Sequence, residues 1–300
     1  MKNLNVDFPR AVTHFEAAMK SQLLIKTVFY KRIFGGKGFE FDSYRMYSPE
    51  NDDAGLIDWK ASMRNPAKTL VRQYVEERDL RIFLVVDVGD NMIFGSGNKL
   101  KNEVAAEITA ALCHLVLSSG DSIGVVLYSD KLVKIIPPSG GMAQFHAIVK
   151  ALKNPNNYGG KSDMKRVLKY LLPSLKNISA VFILSDFLNL DDETLKTIKT
   201  FSSIYETAGI MLRDRVDSSL PNIKNEVIVE DIYTGQQKII NPSLIREQYQ
   251  AYSNEQKNRI INVFKKTGSD ILDLSTDEDF AISLSKFLKN RAKKRKFRNN

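Results

Sequence analysis

Long apolar runs without a polar break alternate along the chain with amphipathic segments, and this alternation begins near Arg81. Residues 82–86 are apolar throughout, and so are residues 180–184. Strands that are covered on both faces have this pattern, whereas a strand with one solvated face alternates apolar and polar residues. The pattern therefore indicates a mostly parallel sheet with helices on both of its faces.

The same alternation continues to the end of the chain. Strands are predicted at 82–86, 123–128, 132–136, 180–184, 210–212, 227–229 and 271–274, the second and third of them forming a hairpin. Helices are predicted at about 100–115, 143–152, 162–172, 191–205 and 243–266, and a final helix follows the last strand. Strand and helix in this order predict a doubly wound α/β sheet.

A different pattern precedes this region. Residues 10–34 have the spacing of a helix packed on another element, and the next forty residues are rich in aromatic and charged side chains without a clear period. We therefore predict an N-terminal helix and wrapping segment at 1–78 packed on the core, an α/β domain at 79–288 and a basic tail at 289–300.

Polar side chains follow the buried runs directly. Asp87 and Asn91 come after the first run, and Asp186 comes after the run at 180–184. Ser162 is placed to cap the helix between them. In doubly wound sheets, ligands bind beyond the carboxyl ends of the strands, where the strand order reverses. We therefore expect these four side chains to converge on one small polar site.

Composition limits the class of protein. A chain of 300 residues with 43% hydrophobic residues can bury a large core. The apolar runs fall well short of the roughly 20 residues that a membrane helix needs, and the N-terminus lacks a secretory pattern, so we expect a cytoplasmic location. A single cysteine, Cys113, excludes an internal disulfide and is expected to pack as a small apolar group.

The net charge of +9 is unevenly spread, because seven basic residues lie among the last twelve. Such a cluster is typical of a solvated helix end, and the alternative is contact with nucleic acid or another anionic surface. The chain lacks a recognised nucleic-acid motif. Both interpretations of the tail stay open at this point.

Several segments resemble a known family. They are 38–47 (GFEFDSYRMY), 57–62 (IDWKAS), 70–78 (LVRQYVEER) and 184–187 (LSDF). Together they resemble the domain of unknown function 58 family, which is similar to von Willebrand factor A domains and is associated with MoxR-type AAA+ ATPases. The resemblance covers about residues 35–288 and implies a fold of the von Willebrand factor A type.

The resemblance also implies a metal-ion-dependent adhesion site. Many von Willebrand factor A domains hold Mg²⁺ through an Asp-x-Ser-x-Ser loop, a threonine and a further aspartate. Asp87, Ser162 and Asp186 match the first aspartate, the threonine and the last aspartate, whereas Gly89 and Asn91 replace the two serines. These departures predict a degenerate site, with Mg²⁺ bound weakly through Asp87, Asn91, Ser162 and Asp186. The alternative is that the acids cap backbone amides and the metal function is lost.

Three residues are candidates for partner binding. Asp90 lies inside the first loop of the site, and Trp59 and Arg72 lie in the family segments. Tryptophan and arginine dominate interface energetics. The alternative for Trp59 and Arg72 is structural, with the tryptophan filling a gap and the arginine pairing to a nearby glutamate.

We therefore predict a non-catalytic protein-interaction module, an adaptor or co-chaperone that works with a MoxR-type AAA+ ATPase and a client protein. Two alternatives come from other classes. Nucleic-acid or anionic-surface binding would use the basic tail. A haloacid-dehalogenase-like phosphatase would use Asp87 but needs an acid two residues later, where Gly89 stands.

Overall fold

A computed structural model describes residues 4–20, 40–48, 55, 57–64, 69–75, 80–231 and 234–298. The side chains of 40–43, 45, 72–75 and 295–298 lie outside this description. The chain divides into two compact units, the first formed by 1–35 with 80–300 and the second by 36–79.

Strands and helices alternate through the first unit. The strands of the chain are β1 Glu40–Met46, β2 Leu70–Val75, β3 Arg81–Asp87, β4 Ser122–Tyr128, β5 Leu132–Ser139, β6 Ala180–Ser185, β7 Thr207–Arg213, β8 Val227–Glu230, β9 Gln237–Ile240 and β10 Asp270–Ser275. The helices are α1 Phe8–Lys20, α2 Trp59–Ser62, α3 Lys101–Ser118, α4 Met142–Lys153, α5 Met164–Ser174, α6 Asp192–Ile204, α7 Arg215–Ser218, α8 Pro242–Lys266 and α9 Phe280–Arg298.

A six-stranded sheet in the order β10-β7-β6-β3-β4-β5 forms the centre of the first unit. Its strands pair in parallel except β5, which runs antiparallel to β4 as the predicted hairpin. The chain leaves β3 for β4 on one side and returns to β6 on the other. The strand order therefore reverses beside β3, and the carboxyl ends of β3 and β6 border the crevice where such sheets bind ligands.

Apolar side chains cover the sheet on both faces. Alternate β3 residues such as Leu84 and Val86 join a core that includes buried residues of α1, α3, α4 and α9. Phe83 and Val85 point to the opposite face and join a second core with residues of α5, α6 and α8. The mostly parallel α/β sheet with helices on both faces, predicted from the unbroken apolar runs, is confirmed. Cys113 is buried in the first core, as expected.

Two predicted elements differ from the structure. The predicted strand at 227–229 is not part of the central sheet, because β8 pairs with β9 in a separate two-stranded antiparallel sheet. The described part of the predicted N-terminal helix is α1, Phe8–Lys20, and the rest of that prediction, 21–34, lies outside the described residues. The predicted tail begins inside a helix, since α9 continues to Arg298 and the Arg291 side chain is buried in it. The predicted domain limits stay a prediction.

The second unit contains an antiparallel pair, β1 with β2, and the short helix α2. Asp58 caps this helix, because its Oδ1 accepts the Ala61 N–H at 3.0 Å. Trp59, the first residue of α2, is 65% exposed. No described helix of the chain is both long and apolar enough to cross a membrane.

Candidate functional site

Asp87 ends β3 at the carboxyl rim of the sheet and is the most heavily hydrogen-bonded acid of the site. Its Oδ1 accepts the N–H of Gly89 at 3.0 Å, which forms a local turn directly after the strand. Its Oδ2 accepts the hydroxyls of Ser185 at 2.8 Å and Ser162 at 2.9 Å, and the Asn91 side-chain NH₂ at 3.3 Å. Four protein donors therefore hold one buried carboxylate.

Asp186 follows β6, the neighbouring strand, and lies close to Asp87. One NH₂ group, that of Asn91, joins the two carboxylates, since its Nδ2 also lies 3.1 Å from Asp186 Oδ1. The backbone N–H of Leu188 donates to the same oxygen at 3.0 Å. The structure thus brings Asp87, Asn91, Ser162 and Asp186 together, as the positions at the strand ends predict.

Unusual backbone geometry fixes the turn after β6. Phe187 has a φ of 52° and Asn189 a φ of 53°, in the left-handed region that bulky side chains rarely adopt. Buried packing compensates for this strain, because the Phe187 ring packs edge-on against Phe264 with centroids 5.8 Å apart. Such strain persists only where the surrounding structure determines the local conformation, and here it lies in the turn that directly follows Asp186.

A lysine that the sequence analysis missed completes the site. Lys101 is the first residue of α3, and its Nζ lies 2.8 Å from Asp186 Oδ2 and 2.8 Å from Asp217 Oδ2. The side chains of Lys101 and Asp186 are each 1% exposed, so this is a buried ion pair. From sequence alone, a lysine at the start of a helix is normally predicted to be a surface residue. The available signal was its place at the positive end of a helix dipole, where a cation is locally unfavourable.

Arg213 adds a second buried cation. It ends β7, next to β6, and its Nε donates to the backbone carbonyl of Asp186 at 3.1 Å. Neither of its Nη atoms has a hydrogen-bond partner among the described residues. Burial lowers the pKa of Arg213, although the neighbouring carboxylates of Asp186 and Asp217 favour its charged form. The strand-end cluster, defined as Asp87, Asn91, Lys101, Ser162, Asp186, Arg213 and Asp217, thus contains three acids and two cations.

Burial and neighbouring charge act on the titration of the cluster. Burial and, next, the charge of Asp186 raise the pKa of Asp87 to about 6, although three hydrogen bonds oppose the change. Burial disfavours the charged form of Lys101, but Asp186 and Asp217 outweigh it, so the pKa of Lys101 lies above its ordinary value. Lys101 is therefore a fixed positive charge at neutral pH.

Gly89 permits the close packing of this loop. A Cβ atom at this position would lie 2.6 Å from Asn91 Oδ1 and 3.0 Å from the carbonyl oxygen of Gly160. Asn91 Oδ1 has no hydrogen-bond partner in the part of the chain that the structure describes. Gly89 and Asn91 replace the two serines of the adhesion-site pattern. They pack together, because Asn91 occupies space that a side chain at position 89 would need.

The arrangement does not fit Mg²⁺, which needs oxygen ligands at about 2.1 Å in near-octahedral geometry. Asn91 presents its NH₂ to the carboxylates, Ser162 directs its hydroxyl hydrogen at Asp87, and Lys101 lies on Asp186. A dication roughly 4 Å from the ammonium would be repelled by about 8 kcal/mol at an effective dielectric constant of 20. The geometry favours the alternative in which protein donors hold the acids.

One local prediction at this site is wrong. Ser162 does not cap the following helix, because α5 begins at Met164 and Asp163 is its cap, with Oδ1 accepting the Arg166 N–H at 3.0 Å. Asp163 takes this place, and the Ser162 hydroxyl donates to Asp87. The hydroxyl thus holds the site together instead of the helix end.

The predicted partner-binding residues occupy different places. Asp90 lies in the loop after β3, where its N–H donates to the Gly160 carbonyl at 2.8 Å and its side chain is partly exposed. Trp59 lies in the second unit on α2, with Met63 73% exposed four residues later. Arg72 lies on β2, and its side chain is outside the described part of the structure.

Comparison with known proteins identifies relatives across most of the chain. The family described as "Protein of unknown function DUF58" matches residues 43–259. Uncharacterized protein Rv1480 of Mycobacterium tuberculosis (strain ATCC 25618 / H37Rv) is 24% identical over 260 residues, which cover 85% of this chain and 80% of the relative. Uncharacterized protein Mb1516 of Mycobacterium bovis matches to the same extent.

Solved structures with partial similarity include three bacterial proteins. BatB from Bacteroides thetaiotaomicron is 10% identical with a TM-score of 0.47, over 73% of this chain and 99% of its own. An aerotolerance-related membrane protein from Bacteroides fragilis has the same identity and TM-score, over 72% and 99%. The pilus adhesin SpaC from Lactobacillus rhamnosus GG is 12% identical with a TM-score of 0.43, over 73% and 30%.

Proposed function

The chain belongs to the DUF58 family of proteins, and we propose that it is a non-catalytic protein-interaction module. We propose further that it acts as an adaptor or co-chaperone of a MoxR-type AAA+ ATPase and presents a client protein to it. The choice of partner rests on the resemblance of the sequence segments to a family that is associated with such ATPases. The strand-end cluster motivates the choice of surface.

One observation supports the proposal above the others. Two acids that are 99 residues apart in sequence meet at the carboxyl rim of the sheet, and a single side-chain NH₂ group joins them. Building this contact requires a strained turn, a buried lysine and a buried arginine. Such costs are typical of functional sites, where local rules are broken and the surroundings compensate.

The chemistry of the cluster favours recognition over catalysis. A nucleophile or general base needs an oxygen that can reach substrate, within about 3 Å of the reacting atom. The carboxylate oxygens of Asp87 and Asp186 each accept at least one protein donor, and both side chains are buried. The position of a phosphatase acid is Gly89, which has no side chain. We therefore propose that the rim binds a partner through its shape and its exposed edge, including Asp90.

Exposed apolar residues on α2 provide a second contact surface in the proposal. Trp59 begins α2 and Met63 directly follows it, and both side chains are exposed, as are those of the cations Lys60 and Arg64. An exposed tryptophan is not filling a gap, which favours docking over the structural alternative for this residue. We propose that this surface, the α2 surface, contacts an acidic-rimmed apolar site on the ATPase.

The basic end of the chain gives less support to nucleic-acid binding. Two of its cations, Arg291 and Lys294, are used in ion pairs with Asp270, and Arg291 also pairs with Glu206. Counterion release requires cations that are free to meet phosphates.

Copurification with a MoxR-type ATPase tests the proposal. The variants are Asp87→Asn and Asp186→Asn, which keep the size of each side chain, with Glu255→Gln on the exposed face of α8 as the matched control. Circular dichroism first establishes that each variant is folded. We expect the two site variants to lose most of the association and the control to retain it. Unchanged association in both folded site variants would remove the cluster from partner binding.

A further inference from the structure

Lys101 is a buried cation within the strand-end cluster. Its ammonium group is buried between Asp186 and Asp217, at 2.8 Å from an oxygen of each. Burying a charge is costly unless it is paired and hydrogen-bonded, and a helix N-terminus adds a further unfavourable term for a cation. A lysine is retained under these conditions when the surrounding acids require a positive charge.

The two acids of the rim have no other full positive charge in direct hydrogen-bond contact within the described chain. Asp87 is held by neutral donors, the Gly89 amide, the hydroxyls of Ser162 and Ser185 and the Asn91 NH₂. Asp186 receives the same NH₂, one backbone amide and the Lys101 ammonium. Arg213 donates to the backbone carbonyl of Asp186 and not to its carboxylate.

The place between the two carboxylates is also occupied. The Asn91 NH₂ group lies 3.3 Å from Asp87 Oδ2 and 3.1 Å from Asp186 Oδ1, where a bridging cation would otherwise lie. Gly89 allows this asparagine to pack, since a Cβ at position 89 would approach its Oδ1 to 2.6 Å. The Asn91 amide and the Lys101 ammonium thus supply the hydrogen bonds and the positive charge that a divalent ion would supply to Asp87 and Asp186.

We propose that Lys101 is a tethered cation that takes the place of a divalent metal ion, so that the strand-end cluster assembles without metal. Asp217 is the second acid in contact with the ammonium, also at 2.8 Å. The proposal concerns the assembly of the cluster alone. It therefore stands or fails independently of the proposed ATPase partner, and its test uses the isolated full-length chain.

Thermal unfolding in the presence of a chelator, Mg²⁺ or Mn²⁺ tests this proposal. The wild-type Tm is expected to be the same in all three conditions. Lys101→Ala removes the ion-pair partner of Asp186 and Asp217 and is expected to lower Tm by roughly 10 °C in chelator, as breaking a buried pair does in a domain of this size. Mn²⁺ or Mg²⁺ is expected to recover part of that loss, because the vacated site exposes two carboxylates to the ion.

The matched control is Lys99→Ala, which also breaks an ion pair of a lysine, with Glu107, only two residues away. Its Tm is expected to be insensitive to divalent ions. Mn²⁺ binding measured by electron paramagnetic resonance gives a direct second readout, with binding expected for Lys101→Ala and none for the wild type.

A wild-type Tm that rises with Mg²⁺ or Mn²⁺ over chelator would overturn the proposal. So would Mn²⁺ binding to the wild type that Asp186→Asn abolishes. If Lys101→Ala does not fold, these two wild-type measurements decide the question by themselves. A folded Lys101→Ala variant without any response to divalent ions would also contradict it.

Discussion

At the scale of single residues, Gly89 and Asn91 depend on each other. A side chain at position 89 has no room while Asn91 Oδ1 lies 2.6 Å from the Cβ position and the Gly160 carbonyl lies 3.0 Å from it. Gly89 and Asn91, which replace the two serines of the adhesion-site pattern, are therefore coupled by their packing. Restoring one serine alone is expected to disturb the loop.

Gly89→Ser is expected to lower the free energy of unfolding by about 1–3 kcal/mol, the usual cost of overpacking a filled site. Asn91→Ser in the same chain removes the side chain that Gly89→Ser would meet, so the double variant is expected to lose less than the sum of the two single variants. Urea unfolding of the four proteins measures the coupling, which should exceed about 0.5 kcal/mol. Strictly additive losses would show that the two positions are independent.

The sequence identified the acids of the site and missed its cations, for physical reasons. Asp87 and Asp186 follow unbroken apolar runs, and parallel strands deliver such residues to one rim whatever the details of the loops. Lys101 and Arg213 have no comparable signal, because burial of a charged side chain depends on partners from distant elements such as α7. Ser162 was assigned to a helix cap because it lies one residue before the actual cap, Asp163, and because its partner Asp87 is 75 residues away in sequence.

At the scale of elements, α9 is anchored by a charge that the sequence suggests is solvated. Arg291 is completely buried, with Nη1 at 2.8 Å from Asp270 and Nη2 at 2.6 Å from Glu206. Its guanidinium also lies over the ring of Phe182, 5.8 Å from the centroid. Glu206 and Asp270 precede or begin β7 and β10, so this arginine joins the last helix to two strands.

Arg291→Ala is expected to lower the free energy of unfolding by about 3–5 kcal/mol, because removing one partner leaves uncompensated charge in a buried site. Lys294→Ala is the matched control on the same helix. Its side chain is 70% exposed, and its pair with Asp270 is expected to contribute at most about 1 kcal/mol. Chemical denaturation of both variants measures the difference, and equal losses would mean that burial of Arg291 contributes nothing.

The same ion-pair cluster predicts a dependence on pH. Burial tends to raise the pKa of Asp270, but Lys294 and Arg291 outweigh it, so the pKa lies below its ordinary value. A lowered pKa in the folded state means that this stabilisation is present above the ordinary pKa and is lost as the pH falls through the folded value.

Asp270→Asn is therefore expected to destabilise the protein at pH 7. The effect is expected to shrink as the pH falls from about 4, the ordinary pKa of aspartate, through the lower pKa of the folded state, where the wild-type carboxyl becomes protonated too. Urea unfolding of both proteins across this range measures the change. A difference that stays constant with pH would show that the charge of Asp270 does not contribute.

Trp59 on the short helix α2 is a position where a substitution is expected to affect partner binding but not stability. Trp59→Ala is expected to change the free energy of unfolding by no more than about 0.5 kcal/mol, because the side chain is mostly exposed. If the α2 surface docks on the ATPase, the same variant weakens copurification by about tenfold or more, as loss of an interface tryptophan does. Tyr170→Ala, an exposed aromatic residue of α5, is the control that should leave association unchanged. A stability loss of several kcal/mol in Trp59→Ala would instead favour the structural interpretation.

At the scale of the whole molecule, the mostly parallel sheet with helices on both faces was the most predictable feature. Unbroken apolar runs require cover on both faces, and the alternating helices supply it, whereas the strand order around β3 is given only by the structure. The strand at 227–229 was assigned to the wrong sheet, because a short apolar run gives no information on its pairing partner. Its place in an exposed hairpin depends on register with β9, in which Ile228 pairs with Ile239.

We propose above all that the carboxyl rim of the six-stranded sheet is a partner-binding surface. Hydrogen exchange of the full-length chain, with and without a purified MoxR-type ATPase, tests this proposal. Slower exchange on binding is expected for the backbone amides at 88–95, 159–163 and 186–190, which form the loops around Asp87 and Asp186. Slower exchange confined to other surfaces, with these loops unchanged in a complex that does form, would contradict it.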